Sequence, residues 1–242
     1  MAEAAVALAP GVWRVPLAPR SFVNAFVLVG DDGQVTLVDT GTKGSASRLG
    51  AGLRAAGVAV EDVTRVVLTH AHADHAGGAA AVARRSGAPV AVHADDAPPV
   101  RAGTSPPRDR STLLGRLLAV VEERTGAGPP AVAVGEELSD GQVLPVAGGL
   151  RVVHTPGHSP GHCALLHEPT GVLVTGDSIW NVRRLRWSVA AFCTDVRLNQ
   201  RTAHVLGELD YDVAAFTHGT HVSERARERV RGFLRDAARG RG

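Results

Sequence analysis

The sequence predicts an α/β protein in which short strands alternate with helices. Runs of valine and leucine are separated by glycine, proline and aspartate turns, and segments rich in alanine, leucine and arginine lie between them. A β-rich stretch followed by an α/β stretch occurs twice, which indicates layered sheets and helices. With 242 residues, 44% hydrophobic and 21% charged, we expect one domain over residues 1–242.

The first half is predicted to begin with a β-meander. Asp31-Asp32-Gly33 is a turn signal between two apolar segments, and Leu49 and Leu53 lie four residues apart in a helical segment. The predicted strands are 12–15, 22–29, 35–39, 63–68 and 89–92, and the predicted helices are 44–56 and 75–85.

Residues 95–130 break the alternation. Four prolines, at positions 98, 99, 106 and 107, precede a predicted helix at 112–124, so we expect a cap insertion over 95–130. Short strands then resume, separated by glycine and proline turns. The predicted strands of the second half are 143–146, 150–154, 163–167, 172–175 and 213–217, and the predicted helices are 196–209 and 223–238.

Composition argues against several classes of partner. The formal charge is +2, from 26 basic and 24 acidic residues, which gives no basic surface for nucleic acid. No apolar run approaches the roughly 18 residues that cross a bilayer, and the first ten residues lack a basic segment typical of export signals. We therefore expect a cytoplasmic protein that acts on a small molecule, with no nucleic-acid or membrane partner; nothing in the sequence assigns an oligomeric state.

The strongest chemical signal is Thr-His-Ala-His-Ala-Asp-His at residues 69–75. It places His70, His72, Asp74 and His75 within six residues, directly after the predicted strand 63–68. Imidazole and carboxylate groups are zinc ligands, and a strand end followed by a helix is a rigid support for them. The segment therefore predicts a metal site.

This segment resembles the signature of the metallo-β-lactamase superfamily, His-x-His-x-Asp-His at the end of a strand. Four further stretches resemble that family in its own order: Leu-Val-Asp-Thr-Gly at 37–41, Thr-Pro-Gly-His at 155–158, Gly-Asp at 176–177 and His-Gly at 218–219. The resemblance covers residues 12–232. It implies a four-layered αββα sandwich with the active site at the edge between two mixed β-sheets.

The resemblance also implies roles for seven residues. His70, His72 and His158 would hold a first metal, Asp74, His75 and His218 a second, and Asp177 would bridge both. Two zinc ions are expected, with Fe²⁺ or Mn²⁺ as alternatives. Thr217 is a departure, since many members have glycine there, and we expect it to affect the loop rather than the ligand.

Such a pair of cations generates a bridging hydroxide near neutral pH and polarises a carbonyl. We therefore expect hydrolysis of a thioester, lactone or related ester, as in the glyoxalase II-like and lactonase-like branches. Asp74 is the expected catalytic residue, because it would orient the hydroxide and carry a proton to the leaving group. Asp39 is expected to accept a hydrogen bond from the second ring nitrogen of a metal-binding histidine.

Other residues are candidates for substrate contact. The segment 180–192, which contains Trp180 and Arg183, is predicted to be a flap over the metals. His162 and His221 are further candidates because they lie close in sequence to predicted ligands.

Three other activities of the superfamily remain open at this point. His70, His158 and Asp177 form the pattern of a mononuclear iron site, as in persulfide dioxygenases. A phosphodiesterase or nuclease is disfavoured because no basic surface is visible. A β-lactamase is disfavoured because those enzymes are exported and generally lack an aspartate at the position of Asp177.

Overall fold

Two β-sheets packed face to face form the centre of the protein. The computed structural model describes residues 5–125 and 128–239. The first sheet contains, in spatial order, β1 (Val6–Ala9), β2 (Val12–Pro16), β3 (Asn24–Val29), β4 (Val35–Val38), β5 (Val63–Val67), β6 (Val90–His93) and β7 (Val134–Leu138). The other strands are β8 (Val143–Leu144), β9 (Leu150–His154), β10 (Cys163–His167), β11 (Val172–Val174), β12 (Ile179–Val182), β13 (Arg184–Trp187) and β14 (Val213–Ala215).

The second sheet has the order β14-β11-β10-β9-β8, and β12 pairs with β13 in a separate hairpin. Both sheets are mixed: β1 to β4 are antiparallel and β4 to β7 parallel, whereas β8 to β11 are antiparallel and β11 pairs with β14 in parallel. The helices are α1 (Ala46–Ala55), α2 (Ala73–Ala76), α3 (Ala79–Ser86), α4 (Ala97–Ala102), α5 (Leu113–Thr125), α6 (Val196–Thr202) and α7 (Ala226–Ala238).

Side chains of β3 show how the layers pack. Successive residues of a strand point to opposite faces of its sheet. Val27 therefore packs with Leu53 of α1 and Val82 of α3, whereas Phe26 packs with Leu165 of the second sheet. Burial of side chains of this size contributes roughly 1.5–3 kcal/mol each.

The outer face of the second sheet is covered in the same way. Leu173 and Ala214 pack with Val230 and Leu234 of α7. Helices therefore cover both outer faces, and the predicted αββα sandwich of two mixed sheets is confirmed.

The helix predicted at 75–85 is wrong, because two helices, α2 and α3, stand there. Gly77 and Gly78 separate them, and a Cβ at either position would collide with the backbone of the loop that follows β4. Thr40 of that loop accepts a hydrogen bond from the Gly78 backbone through its hydroxyl group and donates its own backbone N–H to the carbonyl of His75. The close approach of this loop interrupts the helix. The spacing of apolar residues along the sequence gives no sign of that approach.

Other predicted bounds also change. The helix predicted at 196–209 ends at Thr202 and continues as a 3₁₀ helix over Ala203–Gly207, and α7 begins at Ala226 rather than at 223. Strands β1 and β7 and the hairpin of β12 and β13 were not predicted. None of the helices in the part of the chain described here is both long and apolar enough to cross a membrane.

Candidate metal centre

The site lies where the carboxyl ends of several strands meet. β4, β5 and β6 run parallel, and the segments after them carry Asp39, the 70–75 motif and Asp96. β9, β11 and β14 of the second sheet run in a common direction, and His158, Asp177 and His218 follow them. A backbone hydrogen bond of 2.9 Å from Cys163 to Thr69 joins the two edges. Ligands of α/β proteins bind outside the carboxyl ends of strands.

Two groups of donor atoms converge there. His70, His72 and His158 form one, and Asp74, His75 and His218 form the other; within each group the ligand-type atoms lie within 4.8 Å of one another. Asp177 lies between the groups. One of its oxygens is 3.3 Å from His158 Nε2 and 3.2 Å from His218 Nε2, and the other is 3.5 Å from His75 Nε2.

The donors fit a metal. The Nε2 atoms of His70, His75 and His218 are buried and have no hydrogen-bond partner. His72 Nδ1 lies only 2.9 Å from His158 Nε2, and two unprotonated nitrogens this close require a shared proton or cation. Buried polar atoms without partners are rare in folded proteins, so three such imidazoles in one place point to a group that they bind in common.

The outer nitrogens of these histidines are occupied. His75 Nδ1 donates to Asp39 Oδ2 at 2.9 Å, and His218 Nδ1 donates to the carbonyl of Phe22. His70 Nδ1 lies 3.0 Å from the Thr69 hydroxyl, which itself donates to Asp39 at 2.8 Å. When these imidazoles are neutral, the acceptors keep the proton on Nδ1, so the lone pair of Nε2 faces the centre.

Asp39 is fully buried and joins β4 to the 70–75 motif. Oδ1 accepts the backbone N–H of Thr69 at 2.8 Å, while Oδ2 accepts from Thr69 and His75. Its backbone has φ 58°, a left-handed conformation that costs a non-glycine residue free energy. Asp39 thus has the contacts expected of a residue that orients a metal-binding histidine.

Asp96 was missed by the sequence reasoning. It is buried, and its Oδ2 accepts the backbone N–H of Ala71 at 2.8 Å and the Ser159 hydroxyl at 2.6 Å, while Oδ1 accepts the N–H of Gly161 at 2.7 Å. This carboxylate therefore ties the loop of His70 and His72 to the loop of His158. Its position just after β6, at a strand end like that of Asp39, could have identified it. It was instead assigned to the predicted cap because the proline-rich segment begins there.

His162 is buried behind the centre. Its Nε2 accepts the backbone N–H of Asp177 at 2.7 Å, and its Nδ1 lies 3.0 Å from the carbonyl of Thr155. Burial lowers the pKa of His162 to about 4, which keeps it neutral and able to accept this bond. His162 thus positions Asp177 through Nε2, while its Nδ1 holds the ring against Thr155.

Two other substrate candidates lie away from the cavity. Arg183 is in the turn of the β12–β13 hairpin at φ 67°, and His221 is half-buried beside Arg14; neither lines the cavity described below. Trp180 does line it. The segment 180–192 is a hairpin followed by a 3₁₀ helix over Ala190–Phe192.

Thr217 contacts the centre directly. Its hydroxyl donates to Asp177 Oδ1 at 2.6 Å. The expectation that this departure from the family pattern would affect only the loop was wrong, because a hydroxyl reaches a carboxylate that glycine could not.

Charges inside the centre compensate one another. Burial lowers the pKa of His218, but the carboxylates of Asp177 and Asp74 outweigh this effect and raise the pKa to about 9. Burial raises the pKa of Asp177, yet the nearby imidazoles of His218, His75 and His158 hold it well below its usual range. The buried carboxylates are therefore stabilised by nearby positive charge, which protons on the histidines or metal cations can supply.

A cavity of about 360 Å³ opens onto these groups. That volume is typical of a small-molecule site. Its walls combine donors of the centre with aromatic side chains and residues of the 95–130 segment: Phe22, Thr42, His72, Ala73, Asp74, Ser105, Arg108, Glu122, His158, Asp177, Trp180, Phe192 and His218.

A second group near this edge, His93, Asp95 and His154, also has ligand-type atoms within 4.8 Å of one another, but its geometry suits a metal less well. The rings of His93 and His154 stack at 3.9 Å with an angle of 13°, so their in-plane lone pairs run side by side. His154 Nε2 already lies 2.9 Å from the carbonyl of Pro160, and Asp95 beside them is exposed.

Comparisons with known proteins agree with this geometry. The family described as the metallo-beta-lactamase superfamily matches residues 18–218. The chain belongs to the metallo-β-lactamase superfamily, and the prediction of a metal-dependent hydrolase of that superfamily is confirmed.

Particular relatives cover different parts of the chain. It is 27% identical over 201 residues to "Probable metallo-hydrolase YybB" of Bacillus subtilis, covering 81% of this chain and 80% of that protein. It is 36% identical over 157 residues to a hydroxyacylglutathione hydrolase of Anaeromyxobacter dehalogenans, covering 65% and 46%. The structure of the metallo-beta-lactamase family protein TTHA1429 of Thermus thermophilus has a TM-score of 0.73 and 27% identity, covering 96% and 81%.

Proposed function

We propose that this protein hydrolyses a thioester, lactone or related ester of a small molecule at a binuclear metal centre. The observation that carries the proposal is the set of buried Nε2 atoms without partners on His70, His75 and His218, whose Nδ1 atoms are bonded outward. Imidazoles held in this tautomer are prepared to bind metal.

The two groups of donors suggest how two metals would be held. His70, His72 and His158 would bind one, Asp74, His75 and His218 would bind the other, and the carboxylate of Asp177 lies within reach of both groups. A set of five imidazoles and two carboxylates suits zinc, and iron and manganese are alternatives.

Zinc bound there would supply a nucleophile by lowering the pKa of water and would polarise a substrate carbonyl. Asp74 is the residue proposed to handle protons. Its Oδ2 lies 3.6 Å from His75 Nε2 and 3.4 Å from His218 Nε2, and its side chain is 38% exposed and lines the cavity. A carboxylate that faces both the donors and the substrate can accept the proton of the attacking water and deliver it to the departing thiol or alcohol.

The ester class is supported from two sides. The relative from Anaeromyxobacter dehalogenans is named a hydroxyacylglutathione hydrolase, and the match to it includes more than half of this chain. The cavity of about 360 Å³ is large enough for a small acyl compound.

Substitution of the donors tests the proposal. His72→Ala and Asp74→Ala should each lower kcat/KM for a thioester by at least about a thousandfold, because a metal-centred reaction loses several kcal/mol of stabilisation. His204→Ala, which removes an exposed histidine outside the cavity, is the matched control and should keep the wild-type rate. Circular dichroism should show an unchanged fold in all three variants.

Metal content measured on the same samples distinguishes the proposed hydrolase from an iron-dependent dioxygenase. Two zinc ions per chain and hydrolysis of a thioester or lactone support the proposal. One iron per chain, with oxygen uptake on a persulfide and no ester hydrolysis, would instead identify an iron dioxygenase. Wild-type rates in both alanine variants would reject the mechanism.

A further inference from the structure

The wall of the cavity carries an ion pair contributed by the segment before α5 and by α5 itself. We call this part of the wall, with Phe22, Trp180 and Phe192, the mouth. Arg108 Nε donates to Glu122 Oε2 at 2.6 Å, and its Nη2 donates to Glu122 Oε1 at 2.5 Å. The two side chains are only 12% and 20% exposed. A planar two-point pair of this kind is geometrically specific and stronger than a single contact.

Arg108 is held by two further contacts. Its Nη1 donates to the carbonyl of Ala191 at 3.3 Å, and its guanidinium lies 5.3 Å from the centre of the Phe192 ring. An anionic ligand would compete with Glu122 for this cation, and displacement of Glu122 would leave a carboxylate partly buried without its partner. That exchange costs free energy because the desolvated charge is no longer compensated.

Most other side chains of this wall are aromatic, and Thr42 and Ser105 add uncharged polar groups. Trp180 and Phe22 lie edge to face with ring centres 6.4 Å apart, and both contact the His218 ring. Phe192 lies beside Arg108. Among the described residues that line the cavity, only Arg108 and Glu122 carry a formal charge outside the donors of the candidate centre. The entrance is therefore aromatic and electrically neutral.

We infer that this mouth selects substrates whose groups flanking the carbonyl are uncharged and apolar, and that the Arg108–Glu122 pair is the specificity determinant. A carboxylate on the substrate meets Glu122, and a cation meets Arg108, while an apolar arm packs on the aromatic rings. Thioesters of glutathione, whose thiol arm bears two carboxylates, should accordingly be poor substrates. This inference rests on the proposed ester hydrolysis.

Two thioesters of nearly equal shape test it. They share one acyl group and differ in the thiol, which is 3-mercaptopropanamide in one and 3-mercaptopropionate in the other. The zinc-loaded wild type should prefer the amide by about tenfold or more in kcat/KM, mainly through KM, which corresponds to about 1.4 kcal/mol. Glu122→Gln leaves the charge of Arg108 uncompensated and should lower that preference by about tenfold, whereas Arg108→Gln should raise it.

The exposed pair of Arg85 and Glu61 offers a matched control, because Glu61→Gln makes the same chemical change far from the cavity. It should leave the preference unchanged. A wild type that prefers the carboxylate, or a preference that Glu122→Gln leaves within twofold, overturns the inference. If Glu122→Gln does not fold, the opposite shift in Arg108→Gln decides, and an unchanged preference there also overturns it.

Binding of the matched thioethers, which cannot be hydrolysed, separates this inference from the proposed function. Calorimetry on the zinc-loaded protein should show tighter binding of the amide than of the carboxylate in the wild type and a smaller difference in Glu122→Gln. If no ester is hydrolysed but this binding pattern is observed, the proposed reaction is wrong and the inferred selectivity of the mouth is supported. If esters are hydrolysed and both thioethers bind equally in all variants, the inference fails alone.

Discussion

The histidines of the candidate centre are oriented by groups on their outer sides. Asp39, the Thr69 hydroxyl and the Phe22 carbonyl each contact an Nδ1 atom, which leaves the corresponding Nε2 atoms facing one another. The orientation therefore exists within the protein before any metal binds. Such contacts usually change metal affinity by 10–100-fold when they are removed.

Asp39→Asn tests this orientation. An asparagine at position 39 must present an amide N–H to either Thr69 or His75, and donation to His75 Nδ1 would move the proton of the ring to Nε2, where it blocks metal binding. We expect zinc affinity, measured by competition with a chromogenic chelator, to fall by about 10–100-fold. Asp31→Asn on an exposed turn is the control, and equal affinity in both variants would contradict this role for Asp39.

At the scale of elements, the loop between β9 and β10 depends on a glycine. Gly157 has φ +127°, and a Cβ there would collide with the backbone of Asn199 in α6. Its carbonyl accepts N–H bonds from Thr194 and Asp195 at 3.0 and 2.8 Å. The loop that presents His158 is therefore packed against the start of α6 without room for a side chain.

Gly157→Ala should lower the free energy of unfolding by more than about 3 kcal/mol, since backbone strain and a steric clash add. Gly87→Ala is the matched control: Gly87 also has positive φ, 76°, but no atom lies within 4 Å of the added Cβ, so about 1 kcal/mol is expected. Urea unfolding of both variants measures the difference. Equal losses would show that the contact with α6 is unimportant.

The whole molecule brings buried carboxylates from both sheets into one place. Asp39 comes from the first sheet and Asp177 from the second, and His75 contacts both. Folding therefore concentrates negative charge that needs a positive partner. In protein stripped of metal, protonated histidines are the available partners.

This predicts a pH dependence for chelator-treated protein. The nearby carboxylates raise the pKa of His218 in the folded protein to about 9, against an ordinary value of 6.5, although burial alone would lower it. Its contribution to stability is thus fully present below pH 6.5 and is lost as the pH rises through 9. The unfolding temperature in excess chelator should fall between pH 6.5 and 9.5.

Protein saturated with zinc should not show this decline, because the cations replace the protons and bind only the folded state. Thermal unfolding at the two pH values, with chelator and with zinc, makes the comparison. A parallel decline in both samples would mean that the carboxylates are not compensated at this centre.

The sequence alone determined the fold class and the chemistry-bearing segments of this protein. The 69–75 motif is local, since its four donors lie on one turn after a strand, and alternation of apolar residues predicts which segments are buried. These features depend on neighbours along the chain, so they can be predicted without coordinates.

Only the tertiary structure decided which residues support and surround the centre. Asp96 meets Gly161 across 65 positions, and Arg108 and Glu122 reach the cavity from a segment with no motif. The break between α2 and α3 likewise arises from a loop packed against it. Contacts of this kind depend on how two sheets and an inserted segment pack together, and no short-range pattern of residue types encodes that packing.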